Sequence, residues 1–234
     1  MTQRPWRDYE VGLRAQWWQG LGGFILASYW LDCQGAADLA SWEIKEEAAS
    51  EDVLLITSGE NPSYRDSGIR SLFQLLIQGA KARVWLASPY FLPDENLRES
   101  LVRARQRGID VRILTMGKRC DKPFVRHAAQ ERYGDLLTSG VIIYEYQPSM
   151  LHAKLVLVDE DWVSFGSANF DPRSFFQNEE LNITSRDKAL ITAAASFISE
   201  SFLWSETMSL KSLRQRSWYQ RLMGRLALLF YWQL

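Results

Sequence analysis

The chain has 234 residues, of which 47% are hydrophobic and 24% are charged. This composition excludes an intrinsically disordered polypeptide, which lacks the apolar area needed to offset chain entropy. Basic residues number 27 and acidic residues 28, so the overall charge gives no argument for binding nucleic acid. The two cysteines, Cys33 and Cys120, are too few for a disulfide framework, which favours a reducing compartment.

The sequence shows neither the pattern of a secretory signal peptide at its start nor a long apolar run. MTQRPWRDYE has no apolar core behind its basic residues, so it does not have the pattern of a secretory signal peptide. No uninterrupted apolar run reaches the ~18–20 residues that span a bilayer. The sequence is therefore not expected to be a small secreted domain, a collagen, a zinc ribbon or a polytopic membrane protein.

The first 50 residues differ in pattern from the rest of the chain. Asp8–Ala15 alternates like a strand, and Trp17–Asp32 is predicted to be an apolar helix in spite of its glycines. Ala36–Ser50 is polar and rich in acidic residues, which predicts a linker. We therefore divide the chain into residues 1–35, a linker at 36–50, a main domain at 51–208 and a C-terminal segment at 209–234.

From residue 53 onward, predicted strands alternate with predicted helices. The strands are Val53–Thr57, Ala82–Ala87, Asp110–Thr115, Val141–Tyr146, Lys154–Val158 and Trp162–Gly166. The helices are Ile69–Ala80, a helix capped by Asp94 and ending at Arg107, Phe124–Ser139 and Asp187–Trp204. This alternation predicts an α/β fold, with a mostly parallel or mixed sheet flanked by helices.

Candidate chemistry is concentrated between Met150 and Ile183. His152 and Lys154 are two positions apart, so on a strand their side chains point to one side of the sheet. An imidazole is a nucleophile or acid–base group near neutral pH, and an ammonium suits a phosphate oxygen. Ser167 and Asn169, after the next strand, add neutral donors. This set suits phosphoryl chemistry that needs neither a metal nor another cofactor.

The spacing of these residues resembles a known family signature. H-x-K-x-x-x-x-D, from His152 to Asp159, followed by G-S-x-N, from Gly166 to Asn169, is the signature of the phospholipase D superfamily. ARVWLASPYFLPDENL, RGIDVRIL, YEYQPSMLHAK and FDPRSFFQNEELNI further resemble the second half of a bacterial cardiolipin synthase. The opening WRDYEVGLRA…FILASYW resembles the segment that follows the first catalytic motif of those enzymes.

The resemblance implies a phosphatidyl transfer from phosphatidylglycerol to a second phospholipid. A histidine of the family forms a phosphatidyl-histidine intermediate, and glycerol is released. Carried onto this sequence, His152 is the motif histidine, Lys154 is the phosphate clamp and Asp159 is the structural acid of the motif. Ser167 and Asn169 are implied to be supporting donors on the phosphate.

Two further sets of residues are candidates for the same site. Glu180 stands where the family has an acidic residue that orients the catalytic histidine, although the string QNEEL leaves Glu179 as an alternative. A carboxylate in that role fixes the imidazole tautomer and raises its basicity. Tyr90 and Phe91 follow a predicted strand end, where ligands of open α/β sheets collect, and are candidates to line the lipid cleft.

The sequence departs from the family in having one motif where the family has two. Its other histidine, His127, has no lysine two residues later and is interpreted as an ordinary helix residue. The second catalytic histidine must then come from a second copy in a homodimer or from a missing first half. The predicted strand and helix of residues 8–32 resemble the end of such a half and favour the latter.

The C-terminal segment is basic and ends in aromatic residues. Residues 211–234 contain five basic side chains and no acidic one, and Leu222, Leu226 and Leu229 share a helical face. Residues 209–234 are thus predicted to form a basic amphipathic helix that binds an anionic membrane peripherally, at the cytoplasmic face. Packing of this helix on the domain is the alternative.

Two other functions remain open from the sequence. The first is a phospholipase or nuclease of the same superfamily, in which water or DNA replaces one lipid; the balanced charge speaks against the nuclease. The second is a half-enzyme that is inactive without its partner half.

Overall fold

The computed structural model describes residues 53–58 and 67–233. Eight strands of this part form one mixed sheet in the order β1-β7-β6-β5-β2-β3-β4-β8, and the predicted fold class is confirmed. The strands are β1 Val53–Ser58, β2 Arg83–Ala87, β3 Asp110–Met116, β4 Ile142–Tyr146, β5 Leu155–Val158, β6 Trp162–Gly166, β7 Glu180–Ser185 and β8 Ser205–Thr207. The strand, helix and linker predicted within residues 8–50 lie outside the described residues.

Helices cover both faces of the sheet. They are α1 Gly68–Gly79, α2 Glu95–Gln106, α3 Pro123–Glu131, α4 Gly134–Thr138, α5 Pro172–Phe176, α6 Lys188–Leu203, α7 Leu210–Arg214 and α8 Trp218–Leu228, followed by a 3₁₀ turn at Tyr231–Gln233. Asp94 caps α2 as predicted, because its side chain accepts hydrogen bonds from the backbone of Asn96 and Leu97. Gly108, after α2, has a φ of 88°, which a side chain would disfavour.

Several elements differ from the sequence prediction. The helix predicted over 124–139 is two helices, because the chain turns at Arg132 and Tyr133 and thereby places the Tyr133 ring in the core, 1% exposed. β7, α5 and β8 were not predicted. The prediction of a single helix over 209–234 is wrong. The first helix ends at Arg214, and the Ser217 side chain caps a second helix in a capping box with Gln220.

The main core lies between the sheet and helices α1 to α5. Val84 and Leu86 of β2 and Val156 of β5 face this core and are almost fully buried. Helix α6 covers the opposite face of the sheet. There the Phe202 ring stacks on Tyr144 with centroids 4.2 Å apart.

The strand directions bring separate parts of the sequence to one edge of the sheet. β2, β3 and β4 are mutually parallel, whereas β5 is antiparallel to β2, β6 to β5, β7 to β6 and β1 to β7. The carboxyl ends of β1, β2, β3, β4 and β6 therefore lie at the same edge as the amino ends of β5 and β7. We call this the site edge, because the residues before β5 and after β6 are the motif residues.

Candidate active site

His152 and Lys154 lie at the site edge in the extended segment directly before β5. The predicted strand included Lys154, but β5 begins one residue later. Lys154 continues the row that contains Val156 of β5, since residues two apart in extended chain share a face. Its Nζ donates a hydrogen bond of 2.6 Å to the carbonyl oxygen of His152. Both side chains are partly exposed, so a ligand can reach them.

Gly166 ends β6 and lies between Lys154 and Asn182 in the sheet. Its N–H donates to the carbonyl of Lys154 at 3.4 Å, and its register partner in β7 is Asn182. A Cβ at position 166 would lie 2.1 Å from the carbonyl oxygen of Leu181 and 2.6 Å from Oδ1 of Asn182. The glycine of the G-S-x-N motif is therefore required by the close approach of β7 to β6.

Ser167 is exposed at the site edge and is anchored to β7. Its N–H donates to the carbonyl of Leu181 at 3.1 Å, and its Oγ accepts from the N–H of Leu181 at 3.1 Å. The Oγ–H remains able to donate, because a hydroxyl both accepts and donates. Ser167 thus stands beside Lys154 and Gly166 with a fixed backbone.

Asn169 is held by its backbone, and its side chain is partly buried. Its N–H donates to Oγ of Ser174 at 3.1 Å. Its Oδ1 is buried, and no donor in the described part of the chain reaches it. A buried polar atom without a partner is uncommon and marks this amide as a candidate for binding a ligand.

A row of buried polar side chains supports the motif loop from below. Oδ1 of Asn182 accepts from the N–H of Ala168 at 3.3 Å, and Oγ1 of Thr184 donates to Oγ of Ser164 at 2.9 Å. All three side chains are at most 1% exposed. The sequence analysis missed them, although the alternation of polar residues in ELNIT is the signal of a strand with one polar face.

Glu180 and Glu179 differ sharply in position. Glu180 is the first residue of β7, is 9% exposed and accepts from Nδ2 of Asn178 at 3.1 Å. Glu179 is exposed. In the register of the sheet Glu180 lies on the face of β7 that carries Asn182, which is the face shared with Gly166. Of the two carboxylates, Glu180 is therefore the buried one.

Asp171 is a second buried carboxyl next to the motif that the sequence analysis did not single out. It caps α5 by accepting from the N–H of Ser174 at 2.8 Å, and it is 2% exposed. Burial raises the pKa of Asp171 to about 6, and the charge of Glu180 acts in the same direction, against the hydrogen bonds from Ser174. The polar string FDPRS had the N-cap pattern, Asp before Pro, that could have revealed it.

Asp159 lies at the opposite edge of the sheet from His152 and Lys154. It follows the carboxyl end of β5, about 16 Å along the strand from Lys154. Its carboxylate accepts from the backbone N–H groups of residues 81, 82 and 83, at 2.9, 2.7 and 2.9 Å. Burial alone would raise the pKa of Asp159, but these bonds outweigh it and lower the pKa. Asp159 therefore ties the end of β5 to the start of β2, a position that fits the structural acid implied by the resemblance and that lies away from His152 and Lys154.

The two aromatic candidates differ in burial. Tyr90 is half-buried, and its hydroxyl donates to Oδ2 of Asp121 at 2.6 Å. Burial and the contact with Asp121 raise the pKa of Tyr90 well above its usual value. Phe91 is 1% exposed and stacks on Phe170, with centroids 5.7 Å apart. The placement of Phe91 in a lipid cleft is wrong, because its ring belongs to the core.

His127 lies in α3, as predicted, and faces the C-terminal helix. Its carbonyl oxygen would be 2.5 Å from a Cβ on Gly224 of α8. Burial lowers the pKa of His127, and the positive charge of Arg126 adds to the effect. These contacts fit its interpretation as a helix residue.

The described part of the chain contains neither a cluster suited to a metal ion nor a membrane-spanning helix. Within residues 53–58 and 67–233, no three His, Cys, Asp or Glu side chains are grouped so as to hold a metal ion. No helix in these ranges combines the length and apolarity needed to cross a bilayer.

The fold and motif define a phospholipase D-like domain, and solved structures agree with this fold. A phospholipase D family member, Nuc from Salmonella typhimurium, superposes with a TM-score of 0.57 at 21% identity, covering 67% of this chain and 97% of that one. A phosphatidylserine synthase from Haemophilus influenzae gives 0.61 at 14% identity, covering 78% of this chain and 48% of that one.

The sequence comparisons are more specific. Residues 74–202 match the family described as cardiolipin synthase, PLD-like domain. Cardiolipin synthase 2 of Bacillus cereus is 38% identical over 181 residues, covering 76% of this chain and 34% of that protein. The minor cardiolipin synthase ClsB of Bacillus subtilis is 35% identical over 153 residues, covering 65% and 38%. The chain belongs to the cardiolipin synthase PLD-like domain family, and the predicted resemblance is confirmed.

The chain spans about a third of the length of the curated relatives it matches, 34% and 33% for the first two. What those whole proteins do therefore concerns this chain only as a proposal.

Proposed function

We propose that this chain carries the phosphatidyl-transfer half-site of a cardiolipin synthase. The observation that supports it best is the meeting of His152 and Lys154 with Ser167 and Asn169 at one edge of the sheet, in the spacing of the family motif. The substrate is phosphatidylglycerol and the acceptor is the hydroxyl of a second phospholipid. The products are cardiolipin and glycerol.

The reaction begins with attack of the His152 imidazole on the phosphorus of phosphatidylglycerol. A P–N bond forms, the P–O bond to glycerol breaks, and the departing alkoxide takes a proton from a general acid. In the second step the acceptor hydroxyl attacks the same phosphorus, the P–N bond breaks, and the hydroxyl proton returns to that acid, now a base. Each step passes through a phosphorane-like state with charge on its non-bridging oxygens.

The surrounding side chains stabilise that charge. Lys154 supplies a positive charge within reach of the His152 backbone, 2.6 Å from its carbonyl oxygen. Ser167 keeps a hydroxyl proton that it can donate. Oδ1 of Asn169 has no protein donor in the described part of the chain. Rotation of this amide about its last side-chain bond would present its N–H₂ group to the phosphate. Preorganised donors of this kind are usually the largest contribution to such a rate.

Glu180 is the residue that orients His152 in this proposal. It is the buried member of the QNEEL pair and lies at the site edge. Asp159 is assigned a structural role, because its carboxylate is occupied by three backbone N–H groups at the other edge of the sheet.

The second histidine is proposed to come from outside this chain. The sequence holds two histidines, and His127 is packed beneath α8. A first half carrying its own motif is favoured over a homodimer, because the relatives are about three times as long as this chain. Light scattering on the purified chain tests this: a clean two-fold dimer with transfer activity would contradict the missing-half version.

The protein is proposed to act peripherally on an anionic membrane, at its cytoplasmic face. Phosphatidylglycerol resides in the membrane, and the basic C-terminal segment suits anionic headgroups. Nucleic acid is not a proposed substrate, since 27 basic residues are offset by 28 acidic ones.

The test is a transfer assay on the purified chain and its His152→Ala variant. Phosphatidylglycerol is supplied in liposomes, and cardiolipin and glycerol are measured by mass spectrometry. We expect cardiolipin from the parent, alone or with the first half of a relative added, and none from the variant. Residual turnover of the variant within about tenfold of the parent would refute His152 as the nucleophile.

The same assay separates the alternatives. Phosphatidic acid in place of cardiolipin would identify a phospholipase D-type hydrolase. Absence of any product from folded protein, with or without the added half, would contradict the proposed function and favour an inactive domain.

A further inference from the structure

The C-terminal helix α8 is docked on α3 by the side that carries Gly224, and Ala227 and Leu228 of the same helix pack against the core. Gly224 meets the carbonyl of His127 so closely that a Cβ would lie 2.5 Å from that oxygen. Arg216 and Arg225 pair with Glu131 of α3 at 2.8 and 3.6 Å. The glycine and the ion pairs fix the rotation of α8 about its axis.

This orientation of α8 leaves a set of its apolar side chains exposed to solvent. At about 100° per residue, six residues of α8 and the turn after it fall within an arc of about 120°, and Gly224 lies opposite its centre. All six are exposed, Trp218 and Leu229 by 76% each. They form what we call the C-terminal apolar face: Trp218, Tyr219, Leu222, Leu226, Leu229 and Phe230. A surface helix of a soluble domain normally turns such a face inward.

The surroundings of the face are mainly basic, although Arg225 is paired with Glu131 of α3. Arg221 and Arg225 flank it on one side, and Lys211 and Arg214 of α7 are exposed nearby in sequence. From residue 209 to 234 the sequence contains no aspartate or glutamate. An apolar face with a basic rim complements an anionic lipid surface, with aromatic rings at the level of the headgroups.

The face continues toward the site edge. The Trp232 ring lies 6.0 Å from that of Phe176 in α5, the helix directly after the G-S-x-N loop. The apolar surface and the candidate phosphate site are thus connected through α5.

We propose that the C-terminal apolar face is a docking surface for anionic phospholipid membranes, which holds the site edge against the bilayer that contains the substrate. A second copy of the chain fits less well, because a two-fold contact through this face would bring Arg214 and Arg221 of both copies together, and residues 209–234 offer them no acidic partner. This proposal rests on the peripheral membrane binding in the proposed function and names the surface that makes the contact; it does not depend on the transfer reaction.

The test measures sedimentation of the full chain with vesicles, in the His152→Ala background so that no turnover alters the lipid. The vesicles contain phosphatidylcholine alone or with phosphatidylglycerol. We expect binding to the phosphatidylglycerol vesicles that weakens at about 0.5 M salt, and a loss of about tenfold or more in the double variant Trp218→Ser/Leu229→Ser. Leu75→Ser is the matched control, since Leu75 is 67% exposed on α1 and outside the face.

Three outcomes would overturn the proposal. They are unchanged vesicle binding by the double variant, an equal loss in the Leu75→Ser control, and conversion of a dimeric parent to a monomer by the double variant in light scattering. Vesicle binding is measured in a variant that cannot carry out transfer. Absence of transfer activity in the parent would therefore not change the result of this experiment.

Discussion

Gly166 and Asn182 face each other across β6 and β7 so closely that the Asn182 side chain occupies the space of a Cβ at position 166. Oδ1 of Asn182 would be 2.6 Å from that Cβ. From this position the same oxygen accepts from the backbone N–H of residue 168. The motif glycine therefore allows the strand behind it to hold the loop that carries Ser167 and Asn169.

Gly166→Ala is expected to destabilise the protein by about 3 kcal/mol or more, because the new methyl overlaps backbone that cannot move without breaking the ladder. Gly79→Ala is the control, since nothing lies within 4 Å of a Cβ at position 79. Urea denaturation measures both. Equal stability of the two variants would show that β7 can retreat from β6.

Lys154→Ala is expected to lower transfer by about 10²–10³-fold without unfolding the domain, because the phosphate oxygens lose their counter-charge. Lys188→Ala serves as the control. Its ammonium is exposed at the other edge of the sheet, where it contacts Glu160 and Asp161. A similar loss in both variants, measured as kcat/KM, would argue against a phosphate clamp at position 154.

Glu180→Gln is expected to reduce transfer by about tenfold or more and to shift the pH–rate profile, because a neutral amide orients an imidazole but does not raise its basicity. Glu179→Gln should leave both unchanged, since Glu179 is exposed. The pair is compared by kcat across pH 5–9, roughly the range in which histidine titrates. A larger effect at position 179 would reverse the assignment.

Asp159→Ala is expected to lower stability by about 1–3 kcal/mol and to leave the chemistry of the folded protein intact. Three N–H groups lose their acceptor, and alanine is strained at the positive φ of 54°. Asp159→Asn tolerates this φ and keeps one acceptor, so it should be milder. Loss of transfer in protein shown to be folded by circular dichroism would place Asp159 in the chemistry.

The lowered pKa of Asp159 also fixes the direction of its pH dependence. The folded state prefers the ionised carboxyl, so the stabilisation is present above the unfolded pKa of 3.8 and is lost as the pH falls through the folded value. The stability difference between the parent and Asp159→Ala should therefore shrink below about pH 4.

Asp171 is expected to affect stability in the opposite direction with pH, and Asp171→Asn tests this. Burial raises the pKa of Asp171 from 3.8 to about 6, so between these pH values the folded parent binds a proton that the unfolded parent has lost. The free energy of unfolding of the parent therefore falls as the pH rises through this window. The asparagine variant keeps the acceptor for Ser174 and should be more stable than the parent at pH 8, by up to about 3 kcal/mol, with the gain vanishing near pH 4.

Asp171→Ala is the matched control for that measurement. It removes the acceptor for the Ser174 N–H as well as the charge, so it should lose about 1 kcal/mol of cap stability relative to Asp171→Asn at every pH. If Asp171→Asn has the same stability as the parent at both pH 4 and pH 8, the carboxyl titrates normally and the argument from burial fails.

The family, the fold class and most of the strands can be predicted from local sequence patterns. The spacing from His152 to Asn169 is local, and alternating strands and helices are coded by periodicities of a few residues. β7 was missed because one of its faces is polar, so Glu180 and Asn182 do not read as core residues. Asn182 is nevertheless buried, and its side chain accepts a hydrogen bond from the backbone of Ala168 in the loop after β6.

Which of the candidate residues lie close together depends on long-range contacts in the folded chain. Asp159 is five residues after Lys154 in the sequence but lies at the opposite edge of the sheet, because an extended chain advances about 3.3 Å per residue. Phe91 follows a strand end but turns into the core, where it meets Phe170. The orientation of α8 depends on Gly224 fitting against α3, a contact between residues almost a hundred positions apart. Burial and register are set by such distant contacts, and a local pattern carries no information about them.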